Sequence, residues 1–308
     1  MVHMFNRLLK FLSYFPKVPD KLILAYQCVR SPFFRWVGPG HFYSPFPDMA
    51  EVDQRMSYIY PPTNFDLAGI DLRAEEQKQL LLKFLPYYAS PFIERHHNPN
   101  SRYFRPNGSF PFQDAFTLYA MLQCFKPKRL VEVGCGMSSC VILDSCEKLQ
   151  SGTTLTFIDP YPDFMLRLIR PTDHTRFELR SECIQDVPLE VFTQLDAGDI
   201  LFIDTSHSSK IGSDVNHIFF RILPFLKKGV FVHFHDIWYP FEYPIGCLHR
   251  GMFWNEAYLL RAFLMFNQSF QIVLFNNFIN QFMADGIRTK FPLFLDEPGG
   301  SIWLQRIL

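Results

Sequence analysis

From Leu130 onward the chain alternates short unbroken apolar runs with longer segments of helical periodicity. The apolar runs predict strands at Leu130 to Val133, Thr154 to Ile158, Arg176 to Leu179, Asp199 to Ile203 and Val230 to Phe234. Between them the spacing predicts helices over Ser138 to Leu149, Phe164 to Ile169, Pro188 to Leu195 and Val215 to Phe225. Lys227-Lys228-Gly229 turns the chain into the fifth strand. Further on come a helix (Trp254 to Phe266), a sixth strand (Phe270 to Phe275), a loop-and-turn region and a seventh strand (Ser301 to Leu308). Strands alternating with helices at this spacing mean an α/β fold, a mostly parallel sheet covered on both faces. FQIVLF and SIWLQRIL read as a late antiparallel pair.

Upstream the pattern changes. SPFFRWVGPGHFYSPFPD (31–48) and YIYPPTNFD (58–66) are rich in Pro, Gly and aromatics and predict ordered loops or a cap. Arg73 to Tyr88 has helical periodicity, with Leu80, Leu81, Phe84 and Leu85 on one side. Arg102 to Phe112 reads as loop, and Gln113 to Phe125 as a helix capped near Gln113-Asp114 and ended by Lys126-Pro127. The expected organisation is an N-terminal helical and loop extension over 1–110 and an α/β domain over 111–308.

Composition narrows the function classes. An apolar content of 48% against 19% charged residues marks a folded chain and implies no disordered segment. A formal net charge of zero gives no electrostatic case for nucleic acid. Seven scattered cysteines, odd in number and without a Cys-x-x-Cys pair, favour a reducing, cytoplasmic setting over a disulfide framework. In the opening MVHMFNRLLKFLSYF, charges interrupt the apolar residues, so it reads as an amphipathic helix and not as a stable membrane insertion. Lys10, Lys17, Lys21 and Arg30 lie nearby. Aromatics clustered near both ends are compatible with a homo-oligomer interface.

The chemistry gathers where the strands end. In KRLVEVGCGMSS an apolar run carrying Glu132 breaks into Gly134 and Gly136, the pattern of a buried strand turning sharply into a helix that begins near Ser138. Asp159 closes the second strand, placed to accept two hydrogen bonds from a ribose diol. Asp204 closes the fourth strand and His235-Asp236 the fifth, with His207 just beyond Asp204. Such strand ends converge on the crevice of an open α/β sheet. Asp204, His207, His235 and Asp236 have the donors to hold a divalent ion or to serve as a general base for a hydroxyl. His233, inside its strand, reads as structural. Lys210 and Ser213-Asp214 read as local helix-start residues.

These residues carry a resemblance. RLVEVGCGMSS resembles motif I of class I S-adenosylmethionine-dependent methyltransferases, with Glu132, Gly134 and Gly136 in the expected places. LTFIDP resembles their second-strand motif, which implies that Asp159 holds the ribose hydroxyls. FIDTSH, GSDV, ILPFLKKG, VHFHDI, PFEYP, WNEAYLLRAFL and GGSIWLQRI look like a bacterial branch of that superfamily with poorly defined acceptors. The resemblance spans about 110–308. It implies a Rossmann-like seven-stranded sheet with a C-terminal antiparallel strand and S-adenosylmethionine as cofactor. It also implies methyl transfer, most simply to a hydroxyl of a small-molecule or glycan-type acceptor. Cofactor contacts carried over are Glu132, Gly134, Gly136, Ser138, Asp159, Asp204 and Gln185, whose Gln-Asp resembles a stretch that lines the adenine. His207, His235 and Asp236 fall on the acceptor side as candidate bases, and Tyr239, Phe241 and Tyr243 as pocket walls. By similarity to metal-dependent O-methyltransferases, Asp204, His235 and Asp236 are candidate divalent-metal ligands, with a histidine where an Asp-Asn pair is usual. A nicotinamide-dependent oxidoreductase suits the same turn and strand-two acid, although Ser139 stands where its third glycine is expected. A non-catalytic binding protein on the same sheet is the other rival.

Overall fold

The computed structural model describes residues 36–62, 66–88 and 101–308. The expected amphipathic helix at Met1 to Phe15, with Lys17, Lys21 and Arg30, lies outside them. The chain divides into two compact units, 1–62 and 63–308; residues 66–88 and 101–110, read from sequence with the extension, fall in the second. In the first unit, turns lead to two short helices, Met49–Gln54 and Met56–Ile59, the first capped where Asp48 Oδ1 accepts from the Ala50 amide at 2.9 Å. Neither helix is foreseen from the Pro- and aromatic-rich pattern.

The second unit is built on one seven-stranded sheet. Its strands are β1 (Arg129–Val133), β2 (Thr154–Ile158), β3 (Phe177–Arg180), β4 (Ile200–Ile203), β5 (Phe231–Phe234), β6 (Phe270–Phe275) and β7 (Ile302–Arg306). They lie in the order β3-β2-β1-β4-β5-β7-β6. The first five are mutually parallel, and β7 runs antiparallel to both of its neighbours. Alternate residues of each central strand face opposite sides. Leu130, Leu155, Phe157, Ile200, Phe202 and Phe231 enter one buried cluster; Val131, Val133, Ile158, Leu201, Ile203 and Val232 enter the other. Burial on both faces is why these strands read as unbroken apolar runs.

The longest helices among the described residues are α1 (Ala74–Lys83), α2 (Phe112–Phe125), α3 (Met137–Leu149), α4 (Glu256–Leu264) and α5 (Asn276–Phe282). Several expectations need correction. On α1, Leu81 and Phe84 are buried as expected, but Leu85 is exposed, and Gln77 takes a core place. There its amide donates to Leu72 O and accepts from Phe275 N, which stitches α1 to β6. Asp114 is not a cap of α2. It is buried and accepts from Ser301 Oγ, Asn276 Nδ2 and the Gly300 amide. The Val215 to Phe225 helix is not one α-helix: after Asp214–His217 it widens to a π-turn and tightens to a 3-10 turn at Leu223–Phe225. Pro224 has no amide proton to continue the ladder. The region between β6 and β7, expected as loop, holds α5 and two further short helices at Ala284–Ile287 and Pro292–Asp296. Phe278, Ile279, Ile287, Phe291 and Phe294 are buried there, and tertiary packing outweighs the weak local signal.

Candidate active site

The site begins at the turn after β1. Gly134 has φ +84°, and a Cβ on it would lie 1.6 Å from the Asp204 carbonyl oxygen at the end of β4. Only glycine allows the two strand ends to approach so closely. Beside this contact opens a cleft of about 540 Å³, lined by the ends of β1, β2 and β4 and by the segments after β3 and β4. Asp159 stands at the end of β2, its Oδ2 accepting from the Cys135 amide at 2.8 Å and its Oδ1 from the Tyr161 amide at 2.7 Å. Each carboxylate oxygen keeps a lone pair for a ligand. Cys183, Ile184 and Gln185 form the opposite wall, and Gln185 Nε2 donates to Gly212 O at 2.7 Å.

The other strand-one residues lie behind the turn. Glu132 is fully buried, and its two oxygens accept from Ser138 Oγ at 2.6 Å and Ser139 Oγ at 2.5 Å. Ser139 Oγ in turn accepts from the Gly136 amide at 3.0 Å. Burial raises the Glu132 carboxyl to about 8, against the pull of both serine hydroxyls and with help from the negative charges of Asp204 and Asp159. Glu132, Gly136 and Ser138 thus form the seat of α3 and are not among the residues lining the cleft.

The β4 and β5 termini bring four polar groups together, of which Asp204 lines the cleft. His207 Nε2 lies 3.3 Å from Asp204 Oδ1 and 3.6 Å from Asp236 Oδ2; His235 Nε2 lies 3.8 Å from Asp236 Oδ1. Asp204 and Asp236 are partly open to solvent, whereas His207 and His235 are buried. Burial opposes a charge on His207, but hydrogen bonds with Asp204 and Glu256 outweigh it and raise the imidazole to about 10. For Asp204, burial is likewise outweighed, by the charge on His235 and the bond from His207, and its carboxyl falls to about 2. His235 is raised against its burial by Asp204, Asp236 and Asp114. The backbones of His207 (φ 56°) and Asp236 (φ 55°) are both left-handed, a strained conformation for such residues.

Two residues of this cluster escaped the sequence reading. Glu256, the first residue of α4, is buried and its Oε2 lies 2.9 Å from His207 Nδ1. Asp114 lies 3.9 Å from His235 Nδ1 through its Oδ2. Neither sits at a strand end, so no local pattern points to it. His233 is structural, as expected: it stacks on Phe202 with centroids 3.8 Å apart and meets Ser301 Oγ at 3.0 Å. Ser213 caps its helix by accepting from the Asn216 amide, and Ser206 pairs with Asp214. The expected pocket walls Tyr239, Phe241 and Tyr243 are instead buried in the hydrophobic core, where Tyr243 Oη accepts from the Ala257 amide. Among the described residues no group of three or more His, Cys, Asp or Glu is arranged to hold a metal ion. Between Asp204 and Asp236 stands the His207 ring.

The sheet order separates the two enzymatic rivals. A nicotinamide-binding domain continues past its fifth strand with a further parallel strand; here antiparallel β7 is inserted beside β5 and pushes β6 to the edge. Residues 131–237 match the family model described as a methyltransferase domain. That stretch is a methyltransferase domain of the class I S-adenosylmethionine-dependent kind. An uncharacterised protein of Archaeoglobus fulgidus is 34% identical over 164 residues, which cover 51% of this chain and 73% of that one. Among solved structures, a putative O-methyltransferase from Klebsiella pneumoniae is 12% identical, covering 84% of this chain and 97% of its own, with a TM-score of 0.40. The O-methyltransferase from Bacillus cereus in complex with SAH is 12% identical over 83% of this chain and 97% of its own, with a TM-score of 0.41. Overlaps that low carry no part of the assignment. The methyltransferase's cofactor is S-adenosylmethionine, and the cleft suits it: an acceptor carboxylate for a ribose at β2 and a close-packed glycine turn at β1. No described helix is long and apolar enough to cross a membrane.

Proposed function

We propose that this methyltransferase acts on a hydroxyl oxygen of a small-molecule or glycan-type acceptor, and that the cluster at the β4 and β5 ends is its acceptor side. The observation that carries the reading is the His207 imidazole between Asp204, a residue of the cleft lining, and Asp236. When bound, S-adenosylmethionine supplies a methyl group on a sulfonium centre, electrophilic and with a good leaving group. The chain then has to orient a nucleophilic oxygen, exclude water and remove a proton. Asp159 accepts from the ribose hydroxyls, with Gly134 beside it and Gln185 on the opposite wall. Glu132, Gly136 and Ser138 contribute by fixing the start of α3. His207, cationic at neutral pH, holds the two carboxylates apart and orients the acceptor hydroxyl. Proton removal is assigned to Asp236, whose carboxylate is partly open to solvent beside the His207 ring, with His235 next to it. A cytoplasmic location accords with six described cysteines, none of them in a disulfide.

Calorimetric titration with S-adenosylmethionine and with NAD tests the cofactor half. Asp159→Ala is expected to weaken S-adenosylmethionine binding about a hundredfold or more, through loss of two charge-assisted hydrogen bonds. Unchanged affinity removes Asp159 from the site. Transfer of a labelled methyl group to a panel of phenols, sugars and hydroxy acids tests the other half. Label found only on nitrogen, or no loss of transfer in Asp236→Asn, defeats the hydroxyl reading.

A further inference from the structure

The loop that carries His207 is fastened to the start of α4 at several points. The His207 carbonyl accepts from the amides of both Asn255 (3.0 Å) and Glu256 (3.1 Å). Asn255 Oδ1 accepts from the Ser209 amide at 2.5 Å, and its Nδ2 donates to Ser209 O at 3.2 Å. Trp254 lies against the imidazole, centroids 4.7 Å apart. These contacts hold the left-handed backbone of His207 in place, and none uses the Glu256 side chain.

That side chain does something separate. Its carboxylate is 1% exposed, Oε2 meets His207 Nδ1 at 2.9 Å, and Oε1 has no hydrogen-bond partner among the described residues. A buried carboxylate is costly unless something needs it. The loop is already secured by backbone and Asn255 bonds, so stability of the loop is not that need. What the carboxylate fixes is the ring. Nδ1–H donates to Glu256, so Nε2 is the nitrogen presented between Asp204 and Asp236.

We propose that Glu256 is the positioning residue of the acceptor side: it sets the orientation of the His207 ring so that Nε2–H faces the acceptor and the two strand-end carboxylates. The Trp254-Asn255-Glu256 tripeptide divides the task. Trp254 covers the ring, Asn255 and the backbone amides hold the loop, and the Glu256 carboxylate turns the imidazole. The assignment rests on reading the cluster at the β4 and β5 ends as the acceptor side, but the geometry it predicts is measurable without an acceptor.

The test is a two-bond 1H–15N correlation spectrum of the full chain with 15N-labelled histidine, the His207 signals assigned by their disappearance in His207→Gln. Wild type is expected to show a slowly exchanging Nδ1–H. Glu256→Ala removes the acceptor, and Glu256→Asp draws it back by one carbon–carbon bond, about 1.5 Å. In both, Nδ1–H exchange is expected to accelerate about ten- to a hundredfold, the worth of a hydrogen bond to a charged group. Glu256→Gln keeps a carbonyl oxygen at the same reach and is expected to restore slow exchange. S-adenosylhomocysteine affinity by calorimetry is expected to stay at the wild-type value in all three, since Glu256 does not line the cleft. Glu256→Asp keeps a good first-turn helix residue and provides the readout if the alanine variant does not fold. Unchanged His207 signals in Glu256→Asp, or a lowered unfolding midpoint with those signals intact, overturn the proposal. Failure of wild type to bind S-adenosylhomocysteine strikes the cofactor assignment instead and leaves the His207 geometry standing.

Discussion

Glu132 offers a prediction whose sign reverses with pH. Its carboxyl sits at about 8 in the fold against an ordinary 4.5. Between those values the folded chain holds a proton that the unfolded chain has lost. Stability from this site is therefore full below pH 4.5 and falls as pH rises, levelling off above pH 8. At about 1.4 kcal/mol per pH unit the whole span corresponds to roughly 5 kcal/mol. Glu132→Gln keeps the shape and cannot ionise, but it exchanges one serine hydroxyl bond for a poorer arrangement, a cost of about 1 kcal/mol. The variant is thus expected to be slightly less stable than wild type at pH 5 and more stable by a few kcal/mol at pH 8. Urea unfolding of both proteins at pH 5, 6.5 and 8, followed by circular dichroism, gives the difference directly, because titrations common to both cancel. A difference that stays constant over that range refutes a protonated Glu132 and with it the neutral hydrogen-bonded seat of α3.

The remaining predictions concern the turn, a buried arginine and a cysteine. Gly134→Ala places a methyl group against the Asp204 carbonyl in a left-handed backbone; a stability loss of about 2–5 kcal/mol by urea titration is expected, with loss of cofactor binding. Arg102 is buried against Asp144 and Asp173, so Arg102→Met is expected to cost about 3–5 kcal/mol at pH 7. Although burial works the other way, the bonds from Arg102 lower the Asp173 carboxyl. Its contribution is present above pH 3.8 and fades as pH falls further, so the deficit of the variant is expected to narrow in acid. Cys183 is exposed and lines the cleft. Its alkylation, followed by peptide mass mapping, is expected to slow in the presence of S-adenosylhomocysteine; equal rates place the cofactor elsewhere.

Strand ends and the glycine turn were readable because they are local: an apolar run, a break and a polar residue where the crevice must be. That is why β2 and β6 emerge with their observed limits and why Asp159 and Asp204 line one cleft, with His207 between Asp204 and Asp236. Glu132 shows the limit of that reasoning. Its place in the strand was visible, but which face it takes depends on the register of β1 against its neighbours, and that face turns it toward Ser138 and Ser139. Glu256 and Asp114 were invisible for a related reason. Each reaches the site from a helix, through contacts 49 residues from His207 and more than 100 from His235 along the chain. Tyr239, Phe241 and Tyr243 misled in the opposite direction: aromatics just past a strand end suggested a pocket wall, and they fill the core instead.

The position of β7 has a consequence for the order in which the sheet is assembled. β6 is synthesised before β7, yet in the finished sheet its one strand neighbour is β7. A nascent chain that has made β6 has nowhere to pair it, and β5 still shows an open edge. Both problems are solved by one segment, Ile302–Arg306, arriving between them. The same arrival brings Gly300 and Ser301 to Asp114, a carboxylate on an early helix for which the chain made before then supplies Asn276. Until that segment arrives, the open β5 edge is a place for stray pairing and aggregation. One late insertion closes the sheet and supplies two partners of Asp114 beside His235.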